Sequence, residues 1–384
     1  MTEEFNPRRM IALWLLAFTV SSITKANGAN AYQYHHEEIA IPAASGGEAK
    51  RKEFSLSAAL TYLEEGARAW SRKRQCVSCH TNGSYLLTRP SLTEIAGPPA
   101  SDVRAFFESE LTAFQSQTNE ALKQGITPTQ IAYLAAGLAN WDRHLNHDLT
   151  PPTRAALALM LSVQSKNGAF ANDDGWPPLE SSEYQGATVA ALALLAAPDW
   201  LQSSDAATQA DQIDRLWNYL RDTPPPHDYG RTLLLWVASQ KPDLIQGARR
   251  DRIIKRLLDL QRPDGGWSIR SFATPERWGR GNRVEKLHAE GNYKTPESDG
   301  HQTGLTAFVL MKAGVPSSHP AIQKALAWLQ SNQRESGRWW TRSLNTDKFH
   351  FITYSGTCYP LMALAEAGAL IPPNNSDGTR FPKY

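Results

Sequence analysis

The sequence predicts an all-α protein assembled from helical hairpins, and three observations carry that prediction. Apolar residues recur at helical spacing in segment after segment beyond residue 52, where strand patterns are scarce. A glutamine, glycine and aromatic ending occurs three times: Val163-Gln164 runs into Gly168-Ala169-Phe170, Leu260-Gln261 into Gly265-Gly266-Trp267, and Leu329-Gln330 into Gly337-Arg338-Trp339. The segments that follow share a small and polar beginning, in Gly186-Ala187-Thr188, Gly230-Arg231-Thr232, Gly304-Leu305-Thr306 and Gly356-Thr357. A glutamine amide can bond backbone groups left open at a helix end, glycine lets the chain reverse, and the ring covers the junction. Small residues then let the next helix approach its neighbours closely, as an inner ring requires.

In chain order, Arg8 and Arg9 precede the apolar run Met10 to Val20, and small residues follow to Ala29-Asn30-Ala31. This order predicts a signal peptide over 1–31, cleaved after Ala31, and an exported, periplasmic product. The run is too short for a permanent membrane span. An extended segment is expected over 32–54. Helices are expected over 55–72, 83–94, 100–122, 128–141, 151–164, 184–197, 206–221, 229–240, 244–261, 300–313, 319–332 and 359–367, which make six hairpins in one domain over 55–370. Thr127-Pro128, Thr150-Pro151 and Ser318-His319-Pro320 mark starts, because proline lacks only an N–H that a first turn leaves unpaired. Pro90 breaks the second helix. An insertion rich in Arg, Lys, Glu and Gly spans 268–298, a length suited to a lid or a solvated excursion, and 371–384 reads as a tail. Lys and Arg number 40 against 38 Asp and Glu, a net charge of +2 in 384 residues, so no nucleic-acid face is expected.

The segments LDLQRPDGGW (258–267) and AWLQSNQRESGRWW (327–340) resemble the QW repeats of the squalene-hopene cyclase, oxidosqualene cyclase and prenyltransferase superfamily. The resemblance covers about 55–370 and is strongest over 150–370. It implies an (α/α)6 toroid with six inner helices, six outer helices and a cavity at one mouth. It does not carry the chemistry across. The D-x-D-D acid motif of the cyclases is absent; the nearest string, Asn172-Asp173-Asp174, lies at a repeat end. The zinc site of protein prenyltransferases would need ligands around Cys358 that are missing, and the Cys-Gly-Glu-Gln string of the thioester-containing relatives is also absent. Terpene cyclisation is therefore disfavoured.

Cys76-Val77-Ser78-Cys79-His80 has the C-x-x-C-H spacing of c-type haem attachment, with Cys76 and Cys79 for the vinyl groups and His80 as iron ligand. A disulfide, a thiol redox pair and a partial zinc site are the alternative uses of this spacing. The sixth iron ligand would come from His144, His147, His227, His301, Met160 or Met311, or the iron would be five-coordinate. Gln75 and Gly83 fit the frame of the later repeat ends, so the motif belongs to the first repeat. The haem would then face the mouth, covered by 83–122 or 268–298. Residues ahead of the inner helices sketch that mouth: Glu180, Tyr184, Gln185, His227, Asp228, Tyr229, Asp299, His301, Tyr354 and Ser355. Asp228 and Asp299 there read either as helix caps or, for Asp299 with His301, as an acid/base pair. The expected function is an exported toroid carrying one haem c in electron transfer, acting on a hydrophobic ligand and a redox partner. The alternative is a non-catalytic module that binds a lipid, an isoprenoid or a protein, with structural cysteines.

Overall fold

A computed structural model describes residues 32–173 and 175–370; the expected signal peptide, the tail and Asp174 lie outside the described residues. Twelve principal helices alternate between two rings. The outer helices are α1 (Leu56–Arg74), α3 (Ser101–Gln115), α5 (Pro151–Ser162), α7 (Ala210–Asp222), α9 (Ala248–Asp259) and α11 (Pro320–Ser331). The inner helices are α2 (Asn82–Thr88), α4 (Thr127–Trp141), α6 (Glu183–Leu195), α8 (Asp228–Gln240), α10 (Gly300–Lys312) and α12 (Ile352–Glu366). Each inner helix packs on the next, and α12 returns to α2, so the ring closes into an (α/α)6 toroid.

Burial separates the two sets. From Tyr184 to Leu194 every residue of α6 is buried, because it meets helices on both sides and the axis within. By contrast α7 buries only Leu216 and Leu220, and α9 only Ile253 and Leu257, the single apolar stripe of a helix whose other face is wet. The closest inner pair is α10 with α12, where a Cβ on Gly304 would stand 2.3 Å from the Pro360 nitrogen.

Three helix boundaries differ clearly from the sequence reading, and in one of them the helix expected over 100–122 stops at Gln115. The last inner helix begins at Ile352 and not at 359, and it runs through Pro360. The carbonyl of Gly356, left without a helical donor by that proline, faces Gly300, where an added Cβ would lie 2.6 Å away. The second helix stops at Thr88, and Arg89–Leu92 and Thr93–Ala96 continue as short separate turns. Within the segment read as extended, Tyr32–His36 and Ile39–Pro42 form an antiparallel hairpin. Its Gln33 amide donates to Tyr62 Oη and Thr353 Oγ1, both at 3.1 Å, and so joins α1 to α12.

The repeat ends explain how the outer ring is linked. Gln164 Nε2 donates to Gly168 O at 3.2 Å and to Gln212 O on α7 at 3.0 Å. Gln261 Nε2 donates to Gly265 O at 2.8 Å and to Ala321 O on α11 at 2.7 Å. In the third repeat the working residue is Gln333, correcting the assignment to Gln330. Its Nε2 donates to Gly337 O at 2.9 Å and Ser55 O at 2.8 Å, and its Oε1 accepts from Ser55 N at 2.7 Å. Ser55 caps α1, so this junction closes the outer ring across 278 residues of sequence. The common spacing is glutamine four residues ahead of a glycine with φ near +90°. Trp267 and Trp339 each donate Nε1–H to a carbonyl of the preceding outer helix, Leu257 O and Leu329 O, at 2.8 Å.

Candidate functional site at the capped rim

All six junctions from outer to inner helix lie on one rim, at the N-terminal ends of the inner helices, because the hairpins run in parallel around the ring. The 268–298 insertion folds over this rim. Trp278 is wholly buried, with its ring 4.8 Å from that of His227 and 5.9 Å from that of Tyr229. Arg283 bonds Gly175 O and, at 3.0 Å, Asn345 Oδ1, while Asn345 Nδ2 donates to Pro177 O at 2.8 Å. Three junctions are thereby tied into a cap. A buried ion pair holds it, with Arg270 on both Glu290 oxygens at 2.6 and 3.0 Å and Lys286 on Oε1 at 2.7 Å. Having both cations keeps the Glu290 carboxyl below its usual pKa despite the burial that opposes this.

The CxxCH turn is the first junction. Its shape comes from Asn82 at the start of α2: Oδ1 accepts from Ser78 N at 2.8 Å, and Nδ2 donates to Cys76 O at 3.1 Å. From α4, Gln130 Nε2 donates to Val77 O at 2.9 Å. Gln75 takes no part as a repeat-end glutamine; it is the left-handed cap of α1, and Asn82 does the junction's bonding. Both cysteines are free thiols, Cys76 half-buried and Cys79 only 4% exposed. Cys79 Sγ donates to Glu180 Oε1 at 3.0 Å. Burial, reinforced by that carboxylate, pushes the Cys79 thiol well above its ordinary pKa. Burial likewise raises the Glu180 carboxyl to about 6.

Around the axis the inner helices bring together aromatic and polar groups. Gln185 Nε2 donates to Tyr133 Oη at 3.0 Å. His301 Nδ1 meets Ser355 Oγ at 3.0 Å and its Nε2 meets Tyr229 Oη at 3.3 Å. The Tyr359 ring stands edge-on to His301 at 5.0 Å. Burial pushes the phenols of Tyr133 and Tyr229 far up. Glu180 Oε2 and Gln185 Oε1 are buried there without a hydrogen-bond partner. Elsewhere on the rim, an open cavity of about 430 Å³ lies between Ser181, Tyr184, Tyr219, Pro224, Arg277 and Arg280, and neither Glu180 nor Gln185 lines it.

Several sequence candidates play structural parts. Asp299 caps α10, accepting from Gln302 N at 2.9 Å, and its second oxygen accepts from Ile269 N at 2.6 Å. His301 is held by Ser355 and Tyr229, so the two do not work as a bonded acid and base. At α8 the cap is His227, whose Nδ1 accepts from Gly230 N at 3.1 Å, while Asp228 pairs with Arg231 and Arg256. Tyr354 stacks on Tyr62 at the closing seam, 4.9 Å between centroids. His144, His147 and Met311 sit at the C-terminal ends of inner helices, on the rim away from the CxxCH turn, and Met160 is packed in α5. The pairing of Cys79 with Glu180 was not foreseen, since 101 residues separate them.

A haem c would need both sulfurs at one porphyrin edge with the His80 imidazole facing its iron. Here Cys79 is sealed against Glu180. The His80 ring lies among other neighbours, face-on to Phe351 at 5.3 Å and edge-on to Trp70 at 4.7 Å. As folded, the three groups do not fit that arrangement. Among the described residues, no cluster of three or more His, Cys, Asp or Glu is placed to hold a metal ion, and no helix is long and apolar enough to cross a membrane.

Residues 244–369 match the family model of the squalene-hopene cyclase C-terminal domain. The match spans α9 to α12, with two of the three repeat ends and the whole cap. No curated protein matches the chain.

Proposed function

Taking this chain as a toroid of the squalene-hopene cyclase and prenyltransferase-like superfamily, we propose that it binds a small, mainly apolar molecule carrying a hydroxyl group beneath the capped rim, without cyclising it. The observation that carries this reading is the two buried acceptors, Glu180 Oε2 and Gln185 Oε1, without a hydrogen-bond partner among the described residues. Buried polar groups are almost always satisfied, so a ligand or ordered water that donates hydrogen bonds belongs there. A separate rim cavity of about 430 Å³, bordered by the sequence neighbours Ser181 and Tyr184, offers the volume of a lipid fragment or short isoprenoid alcohol. The missing D-x-D-D motif removes the superfamily's cyclising acid. We place the protein outside the cytoplasm, on the leader pattern of residues 1–31.

Titrating the purified chain with farnesol and with farnesene, read by tryptophan fluorescence, tests the proposal. Farnesol is expected to bind at least about tenfold more tightly, the value of one hydrogen bond to an otherwise unsatisfied buried acceptor. Gln185→Leu should remove most of that preference. Equal affinity for alcohol and hydrocarbon, or no binding of either, refutes the reading. A pyridine haemochrome spectrum of protein made in a haem-attaching host decides the haem question separately, and no covalent haem is expected.

A further inference from the structure

We infer that Cys76 and Cys79 form a redox-active dithiol that exchanges with small-molecule disulfides, with Glu180 receiving the proton of Cys79. The inference does not rest on the ligand reading above, although both use Glu180, and its thiol readout separates the two.

Two residues separate the thiols, the spacing of exchange-competent dithiols, and neither is tied up in a disulfide among the described residues. Their environments differ in the sense that exchange requires. Cys76 is half-buried and the more accessible of the two; burial raises its thiol above the ordinary pKa, and the Trp70 indole and the Arg74 guanidinium offset only part of that rise. Cys79 is 4% exposed and lies beneath it, so an incoming disulfide meets Cys76 first. The backbone of the turn is held by Asn82 from Cys76 O to Ser78 N, and by Gln130 at Val77 O, so Cys79 is pre-positioned for the second step.

Burial makes the Cys79 thiol a reluctant acid, and a thiol attacks only as its thiolate. The structure supplies a local acceptor. Glu180 Oε1 already takes the S–H hydrogen bond at 3.0 Å, and Oε2 has no partner, which leaves the carboxylate free to take the proton outright. Glu180 is only 6% exposed and has no ion pair among the described residues.

The chemistry balances. The Cys76 thiolate attacks one sulfur of a disulfide RSSR; that S–S bond breaks, a mixed disulfide forms on Cys76, and one RS⁻ leaves and takes up the proton Cys76 released. Cys79 passes its proton to Glu180 and attacks the Cys76 sulfur. The mixed S–S bond breaks, and the second RS⁻ leaves and receives the proton that Glu180 returns through solvent. The protein dithiol is oxidised by two electrons, and RSSR is reduced to two thiols.

The test uses the purified full chain with oxidised glutathione, quenched by alkylation and read by mass spectrometry with a parallel release assay. Wild type is expected to lose two thiols, to release two glutathione per chain and to accumulate no mixed disulfide. Cys79→Ser should stop at one glutathione on the Cys76 sulfur, and Cys76→Ser should leave Cys79 unreacted. Glu180→Gln should slow the resolving step about 100-fold or more, the scale of general-base help, with far-UV circular dichroism unchanged. The inference is overturned if wild type keeps its thiols free, if a mixed disulfide persists on it, or if Glu180→Gln resolves at the wild-type rate. Should Cys79→Ser fail to fold, the wild-type time course and Cys76→Ser still decide between these outcomes.

Discussion

The junction between α11 and α1 closes the outer ring, and Gly337→Ala is the sharpest perturbation of it. Gly337 has φ +91°, and a Cβ there would stand 2.1 Å from Ala58 O and 2.4 Å from the Ala58 carbonyl carbon. Those atoms are backbone in the first turn of α1, which is anchored by Ser55, so relief requires the two helices to part. An alanine at such φ costs about 1–2 kcal/mol by itself, and forcing a methyl into closed packing adds about 1–3 kcal/mol. A loss of about 3–4 kcal/mol is expected. Gly368→Ala is the control: its φ is +67°, but nothing lies within 4 Å of the new Cβ, so it should cost about 1 kcal/mol. Gln333→Ala attacks the same junction by removing its bonds to Ser55 N, Ser55 O and Gly337 O, and should cost about 3 kcal/mol, at roughly 1 kcal/mol for each. Urea unfolding at constant slope measures all three, and hydrogen exchange should show α1 and the Tyr32–Pro42 hairpin losing protection first. If Gly337→Ala is no worse than Gly368→Ala, or Gln333→Ala costs under about 1 kcal/mol, this seam does not hold the ring.

Buried histidines should make the fold acid-sensitive. Burial holds His80 and His301 down to about 3 and His227 to about 4, against 6.5 when unfolded, so their contribution is whole above pH 6.5 and is lost as pH falls towards those values. His301→Gln should lower the slope of unfolding free energy between pH 6 and 4 by about 1.4 kcal/mol per pH unit, and an unchanged slope sinks the assignment. Glu180 acts in the opposite sense: raised from 4.5 to about 6, it favours the fold below pH 4.5 and loses that benefit as pH rises through 6, so Glu180→Gln should flatten that decline by about 2 kcal/mol in urea titrations. Trp278→Ala should loosen the cap at a cost of about 3–5 kcal/mol, seen as new proteolytic cleavage within 268–298; continued resistance there would mean that the cap does not hang on this ring. For the leader, the intact mass of native protein should begin at Tyr32, and a product starting at Met1 in the cytoplasm would refute export.

Local order was legible in the chain because it is written at short range. Apolar spacing, prolines after a capping oxygen and repeated glycines located all twelve helices, since each signal concerns residues within one or two turns. The repeat ends carried the resemblance to the QW-repeat superfamily, and that resemblance implied the toroid; repetition alone says only that units which cannot bury their own apolar face stack on copies of themselves. Tertiary contact decided the remainder. The four-residue spacing of Gln164 to Gly168 and of Gln261 to Gly265 already selects Gln333 for Gly337 in the sequence, and only the return of Ser55 across the closed ring shows that this glutamine joins the two ends of the outer ring. Pro360 looks like a helix start until Gly300 is seen to receive the carbonyl that it leaves unpaired. The CxxCH spacing states what three side chains could do, but the burial of Cys79 and its bond to Glu180 depend on a loop 101 residues away. Asp299 and His301 are near neighbours in sequence, yet the turn of α10 points one at its own helix end and the other at Ser355 and Tyr229. Spacing along the chain therefore determined which groups this protein owns and which helix carries each. Closure of the ring decided which of those groups meet, because every such meeting pairs residues whose separation in sequence carries no information about their distance in space.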